Sequence, residues 1–316
     1  MKSLIHKISS EVSFLEKIGG FAFEKFIKFN RAIVGAKKKE LGDIHFLEIN
    51  KGHPETILLV HGFTDSKDGF LSPAFFLSKK YNLLIPDLPG SGENKKSFKE
   101  IYNLPYMAEG LAKFLKNKGL KSIHVAGISM GAAVSMEFTL MHPLMVKSLT
   151  LISPAGFFDP KIPSIFHEMI SGKNIFCVKN LEEYEALLNR VMVKKPFIPL
   201  LVKKHLFENL YSLSEWHCKM TEDLLGGVKS IYDNEKINQN GFNERSKDIK
   251  CPTLLLWGDS DSLFPLELSK IPLLKIENSE LAIIKNAGHA LHHERPLDFS
   301  KNIHKFLQNK IYLIKN

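Results

Sequence analysis

The chain has 316 residues, of which 44% are hydrophobic and 24% charged, and its formal net charge is +9. That length and apolar content suit one large domain carrying an insertion and exclude a disordered or fibrous chain. The basic excess comes without a helix-turn-helix, zinc-finger or RNA-binding pattern, so nucleic acid is not an expected partner and most lysines read as a solvated face.

Residues 1–40 read as an N-terminal helical extension. Ile5, Ile8, Val12 and Leu15 recur at spacings of three and four, which puts them on one face. Gly19-Gly20 is expected to break the pattern. A second apolar stripe follows, made of Phe23, Phe26, Ile27, Ile33 and Val34, with Lys25, Lys28 and Arg31 on its flanks and Lys37-Lys38-Lys39 after it. Basic flanks and an aromatic face suit a membrane interface; packing on the protein's own body is the equal alternative. Charged residues interrupt the first segment too often for a secretory signal, and no apolar run is long enough to span a bilayer. Cys177, Cys218 and Cys251 form neither a metal spacing nor a disulfide framework. A reducing, cytoplasmic compartment is therefore expected, with peripheral membrane contact through residues 1–40 left open.

From Asp43 the pattern alternates. Ile44–Ile49 reads as an edge strand. Thr56–Val60, Asn82–Pro86, Ser122–Gly127 and Val146–Ser153 are short apolar runs of buried-strand type. Helical patterns lie between them near Ser72–Lys80, Tyr106–Lys118 and Met130–Met141. Buried strands alternating with helices imply an α/β fold with a mostly parallel central sheet flanked by helices. The rhythm stops over residues 157–245, where helical stretches such as Leu181–Met192 and Val202–Ser212 surround Pro196 and Pro199. It resumes at Thr253–Trp257 and Ala282–Lys285. Residues 41–156 and 246–316 thus form the core, and 157–245 an inserted helical cap over the sheet edge where open α/β sheets bind ligands.

Chemistry concentrates just after the strands. Gly127-Ile128-Ser129-Met130-Gly131 joins an apolar strand to a helical run, a setting that exposes a strained nucleophilic serine. The Met130 N–H opens the helix and can donate to an oxyanion. Val60-His61-Gly62-Phe63 ends another strand, and Gly62 lets the backbone turn so that the Phe63 N–H gives a second oxyanion donor; His61 reads as shaping this loop. Asp87-Leu88-Pro89-Gly90-Ser91-Gly92 fits neither a dinucleotide loop nor a P-loop, so Asp87 is at most an anchor. In Trp257-Gly258-Asp259-Ser260-Asp261, Asp261 is the stronger candidate acid and Asp259 the fallback, whose other role is capping the turn. Gly288-His289 follows the last strand and supplies the candidate base. His292 and His293 compete by composition but lie on the way into the final helix, exposed or packed against it. The order Ser129, Asp261, His289 is that of a nucleophile elbow serving an α/β sheet.

With these elements together, the chain resembles the α/β-hydrolase superfamily. It looks most like the branch of monoacylglycerol lipases and bacterial esterases with a helical cap, to which Ser153-Pro154-Ala155-Gly156 and Lys194-Lys195-Pro196-Phe197-Ile198-Pro199 are further matches. Ala132 departs from relatives that carry a second glycine after the elbow. The resemblance implies a serine carboxylic-ester hydrolase with no metal and no cofactor, acting on lipid-like acyl esters such as monoacylglycerol. Serine at the elbow argues against dehalogenase or epoxide-hydrolase chemistry, which needs aspartate there. In the cap, Phe157, Phe158, Phe197 and Ile198 are candidate substrate-binding residues, although docking of the cap on the sheet would also use such side chains. Two other readings stay open: a carbon–carbon bond hydrolase of a small dienoate, to which Arg190 would contribute a cation, and a non-catalytic ligand receptor on the same fold.

Overall fold

In the computed structural model, residues 2–230, 233, 235–237 and 241–314 are described, and side chains within 17–309. Eight strands form one sheet: β1 (Lys37–Leu41), β2 (Ile44–Ile49), β3 (Thr56–Val60), β4 (Asn82–Pro86), β5 (Ile123–Ile128), β6 (Val146–Ile152), β7 (Thr253–Gly258) and β8 (Ser279–Ile284). Their order is β1-β2-β4-β3-β5-β6-β7-β8, antiparallel at β1-β2 and β2-β4 and parallel from there on. The C-terminal ends of β3, β5, β6, β7 and β8 therefore share one edge.

The central strands β3 to β7 are buried on both faces, and their side chains divide between two cores with the period of two that a pleat imposes. Leu58 and Val60 pack with α3 (Leu104–Asn117) and α4 (Met130–Met141), in a core containing Leu111, Leu115, Val134 and Phe138. Ile57 and Leu59 pack the other way, with α2 (Leu71–Leu77), the end of α1 (Lys2–Val34) and α11 (Pro296–Ile314), through Val34, Leu71, Phe299 and Ile303. Between β6 and β7 come α5 (Ile165–Ile170), α6 (Leu181–Val191), α7 (Leu200–Ser212) and α8 (Ser214–Leu225); α9 (Lys270–Lys275) and the single turn α10 (Leu291–Glu294) follow later. The ends of this helical insertion are tied together. Phe158 N–H donates to Asn243 Oδ1 at 3.0 Å, Asn243 Nδ2 returns a bond to the Phe158 carbonyl at 2.6 Å, and Phe242 N–H reaches the Gly156 carbonyl at 2.8 Å.

Three expectations change. First, Gly19-Gly20 does not end a helix: α1 runs through it without interruption. A side chain at Gly19 would collide with the Leu201 carbonyl and one at Gly20 with the His205 ring, so Gly19 lets α1 lie against the α7 backbone and Gly20 leaves room for the imidazole. The stripe of Ile5, Ile8, Val12 and Leu15 lies outside the residues whose side chains are described. Second, Lys37-Lys38-Lys39 belongs to β1, which takes the sheet edge that Ile44–Ile49 was expected to hold. Its exposed lysines suit an edge strand, where charge discourages pairing with another chain. Third, Cys177 and Cys218 are disulfide-bonded, linking the segment before α6 to α8. The sparse count hid this pair, because cysteines 41 residues apart in sequence meet only when the insertion folds. Burial pushes the remaining thiol, Cys251, up to about 11, which leaves it unreactive at neutral pH.

Candidate active site

Ser129 stands between β5 and α4 with φ 55° and ψ −121°, a left-handed conformation that costs a residue with a side chain about 1–3 kcal/mol. The surroundings enforce it. Ser129 N–H donates to the Ile152 carbonyl of β6 at 2.9 Å. A side chain at Gly131 would strike the Val60 and His61 carbonyls, and one at Gly127 would strike the Gly131 carbonyl, so only glycines let β5, α4 and β3 approach so closely. Thr64, Ser153 and Asn286 also have positive φ. Like Ser129, they follow the C-terminal ends of strands, so the non-glycine strain among the described residues gathers on one sheet edge.

The oxyanion candidates stand beside the serine. A Cβ on Gly62 would lie 3.4 Å from the Ser129 Cβ, which places the His61-Gly62-Phe63 loop against the elbow. Among the described backbone contacts, neither Phe63 N–H nor Met130 N–H is engaged. His61 is fully buried: its Nδ1 lies 2.8 Å from the Gly62 carbonyl and its Nε2 accepts from the Leu88 N–H at 3.0 Å. Both nitrogens are spent on the loop, as the shaping role requires. Asp87 is an anchor too, accepting from the Lys67 N–H and Nζ, each at 2.7 Å, and from the Glu93 N–H at 3.0 Å.

The structure separates the two aspartates. Asp261 is buried; its Oδ1 accepts from the Leu263 and Phe264 N–H groups at 2.9 and 3.0 Å, and its Oδ2 lies 2.9 Å from His289 Nδ1. Asp259 is exposed and accepts from the Ser260 hydroxyl and the Ala287 N–H, a turn cap; the Ser260 bond holds its carboxyl below the ordinary value. His289 itself is held from the insertion. The carbonyl of Val191, at the end of α6, accepts from the His289 and Ala290 N–H groups at 2.9 and 3.1 Å. Glu294 clamps the same place, one oxygen on the Gly288 N–H and the other on the Val193 and Lys194 N–H groups, all at 2.8 Å. Nothing local in the sequence marks Glu294 for this role, because two of its three N–H partners lie in the insertion. Among the described contacts the Ser129 hydroxyl makes no hydrogen bond to His289. Phe264 lines the cavity that also includes Ser129, and its ring sits 5.5 Å, centroid to centroid, from the His289 imidazole.

That cavity is walled by Phe63, Met130, Phe158, Ile165, Phe166, Phe176, Leu224 and Phe264, with Thr221 among its few polar groups. Of the four side chains expected to bind substrate, only Phe158 lines it. Phe157 is buried in the core against Phe242, its neighbour's side chain having turned the other way. Phe197 is 92% exposed, and Ile198 is not part of the wall. The apolar residues of the insertion that form it come from Phe158, α5, the segment before α6, α8, and Val228 and Ile237 after it. Arg190 is committed to Glu168 at 2.8 Å and to the Ser262 carbonyl at 3.2 Å, so it offers no cation to the cavity.

A mostly parallel sheet, a serine on a strained strand-to-helix elbow and an acid–histidine pair on the same edge define a serine hydrolase of the α/β-hydrolase fold. Comparison with known proteins agrees: residues 55–176 match the family described as alpha/beta hydrolase fold. The chain belongs to that superfamily, in the branch of monoacylglycerol lipases and bacterial esterases, and is an ester-hydrolysing enzyme. It is 33% identical over 239 residues to Lipase 1 of Psychrobacter immobilis, covering 74% of this chain and 71% of that one. It is 29% identical to Monoacylglycerol lipase ABHD6 of Mus musculus, covering 81% and 76%. Among solved structures, a membrane phospholipase A described as a bacterial virulence factor superposes with a TM-score of 0.84 at 27% identity, covering 98% of this chain and 99% of that one.

Proposed function

We propose that the chain hydrolyses lipid-like carboxylic esters bearing one acyl chain, of the monoacylglycerol kind, through a Ser129–His289–Asp261 acyl-enzyme mechanism. The observation that carries this reading is the buried 2.9 Å pairing of His289 Nδ1 with Asp261, on the edge where Ser129 is presented. Asp261 fixes the tautomer that leaves His289 Nε2 as a base. His289 takes the Ser129 proton as the oxygen attacks the ester carbonyl, and the Phe63 and Met130 N–H groups hold the developing oxyanion. The imidazolium returns its proton to the departing alcohol, and water then releases the acid by the same steps.

The apolar wall of the cavity supports an acyl chain as the group bound. The named activities of similar proteins point the same way. A dienoate hydrolase would need a cation for the substrate carboxylate, and Arg190 is spent elsewhere. Residues 157–245 then act as the cap that shapes the pocket. Part of α1 meets lipid: Val34 is buried, whereas Phe21, Phe26 and Phe29 are all more than 60% exposed beside Lys25 and Lys28. No described helix is long and apolar enough to cross a membrane, so contact would be peripheral.

A p-nitrophenyl ester series with a fluorophosphonate probe tests the assignment. Turnover should favour medium or long acyl chains, label should map to Ser129, and Ser129→Ala should lower kcat by at least about 10³-fold while remaining folded. Normal turnover in that variant would end the proposal.

A further inference from the structure

We propose that Asp65, His292 and His293 form a binding site for a divalent cation of the zinc type, adjacent to but separate from the candidate catalytic residues. Asp65 lies in the loop after β3, two residues past Phe63; His292 and His293 occupy α10, just past His289. One ligand atom from each of the three lies within 4.8 Å of the other two. His292 Nε2 and Asp65 Oδ2 are 3.5 Å apart, close to the roughly 3.4 Å edge of a tetrahedron built on metal–nitrogen bonds of about 2.05 Å. The His292 and His293 rings have centroids 4.0 Å apart, so both imidazoles face the same place as the Asp65 carboxylate within the 4.8 Å that the three ligand atoms span.

A second observation points to a ligand. His292 is 4% exposed, yet neither of its ring nitrogens has a hydrogen-bond partner among the described contacts. Its other neighbours are apolar: the Phe70 ring lies 5.2 Å away and the Phe299 ring 6.5 Å. Buried imidazole nitrogens are rarely left unpaired. A cation on Nε2 would satisfy one of them and would explain why the 3.5 Å approach to Asp65 stops short of a good hydrogen bond. Asp65 is already oriented, its Oδ1 accepting from the Ser66 N–H at 2.7 Å. His293 is exposed and gives the ion a way in. Two imidazoles and one carboxylate, with a fourth position for water, make a donor set suited to Zn²⁺. The ion would tie the loop carrying the Phe63 donor to the turn carrying His289 without touching the reacting atoms.

The test uses the full chain stripped of metal and titrated with Co²⁺. One equivalent should produce the visible absorption of four-coordinate cobalt, Zn²⁺ should abolish it, and Zn²⁺ should raise Tm. Asp65→Asn and His293→Ala should each weaken cobalt binding more than about tenfold, and His289→Ala should not. Should Asp65→Asn fail to fold, as far-ultraviolet circular dichroism would reveal, the exposed His293→Ala decides. The proposal is overturned if the wild type gives no cobalt spectrum, if the spectrum survives in His293→Ala, or if it disappears in His289→Ala instead. None of these readouts depends on ester turnover, so they stand apart from the fate of the proposed reaction.

Discussion

An asparagine at position 261 would keep nearly every contact of the aspartate. Its Oδ1 could still accept from the Leu263 and Phe264 N–H groups. Its amide, however, would donate to His289 Nδ1, forcing the imidazole proton onto Nε2, where it blocks removal of the Ser129 proton. Asp261→Asn should therefore fold normally and lose about 10³- to 10⁴-fold in kcat on a p-nitrophenyl ester. Asp259→Asn, altering an exposed turn cap, should stay within about twofold. Equal activities in the two variants would remove Asp261 from the mechanism. The candidate positions Ser129, Asp261 and His289 could be picked out of the sequence because each is announced locally, by an apolar strand and then a glycine. The cavity wall was not. Phe157 and Phe158 are adjacent in sequence and point oppositely, and in an insertion without strand periodicity nothing local says which faces inward. Glu294 was illegible for a related reason, since two of its three N–H partners lie about 100 residues away.

Elements were read better than their ends. Every strand from β2 to β8 was expected, because a buried strand writes itself as a short apolar run. β1 was missed because its lysines read as the tail of a helix, and only pairing with β2 makes them a strand. Gly19-Gly20 misled because a glycine's cost in a helix, about 1 kcal/mol, is a weak local term that packing against α7 overrides. The same helix carries the prediction at this scale. Phe23 stacks on His205 and Ile27 joins the core below α2, which leaves Phe21, Phe26 and Phe29 facing out. Lys25 lies over the Phe21 ring, an amphipathic pairing suited to the headgroup layer. Replacing the three exposed phenylalanines by serine should leave Tm nearly unchanged and cut co-sedimentation with anionic vesicles several-fold. Adding salt should weaken the wild-type binding only in part, since the aromatic contribution is not screened. Unaltered, salt-insensitive sedimentation would mean that this face does not meet lipid.

For the molecule as a whole, buried groups with displaced pKa values couple stability to pH. Burial, aided by the charge of Lys96, holds the His217 imidazole down to about 4, and its Nδ1 has no partner beside the Phe63 ring 5.6 Å away. Burial moves His124 the same way. In the unfolded chain a histidine protonates near pH 6.5, whereas His217 resists until about 4. The unfolded state thus gains protons first as pH falls, and stability present above 6.5 drains away between about 6.5 and 4, by up to about 3 kcal/mol for a shift of this size. A second loss follows at lower pH. Burial raises the Glu93 carboxyl, but Lys38 and Lys67 prevail and hold it at about 2, below its ordinary 4.5. Its contribution is complete above 4.5 and disappears towards pH 2, blunted because the side chain is 38% exposed. Melting temperature measured from pH 8 to pH 3 should therefore stay level to about 6.5, fall gradually, and steepen below 4.5. His217→Phe removes the titrating ring while keeping an apolar side chain beside Phe63, so it should flatten the upper slope and leave the steep part unchanged. An upper slope identical in wild type and variant would show that His217 is not buried in its neutral form.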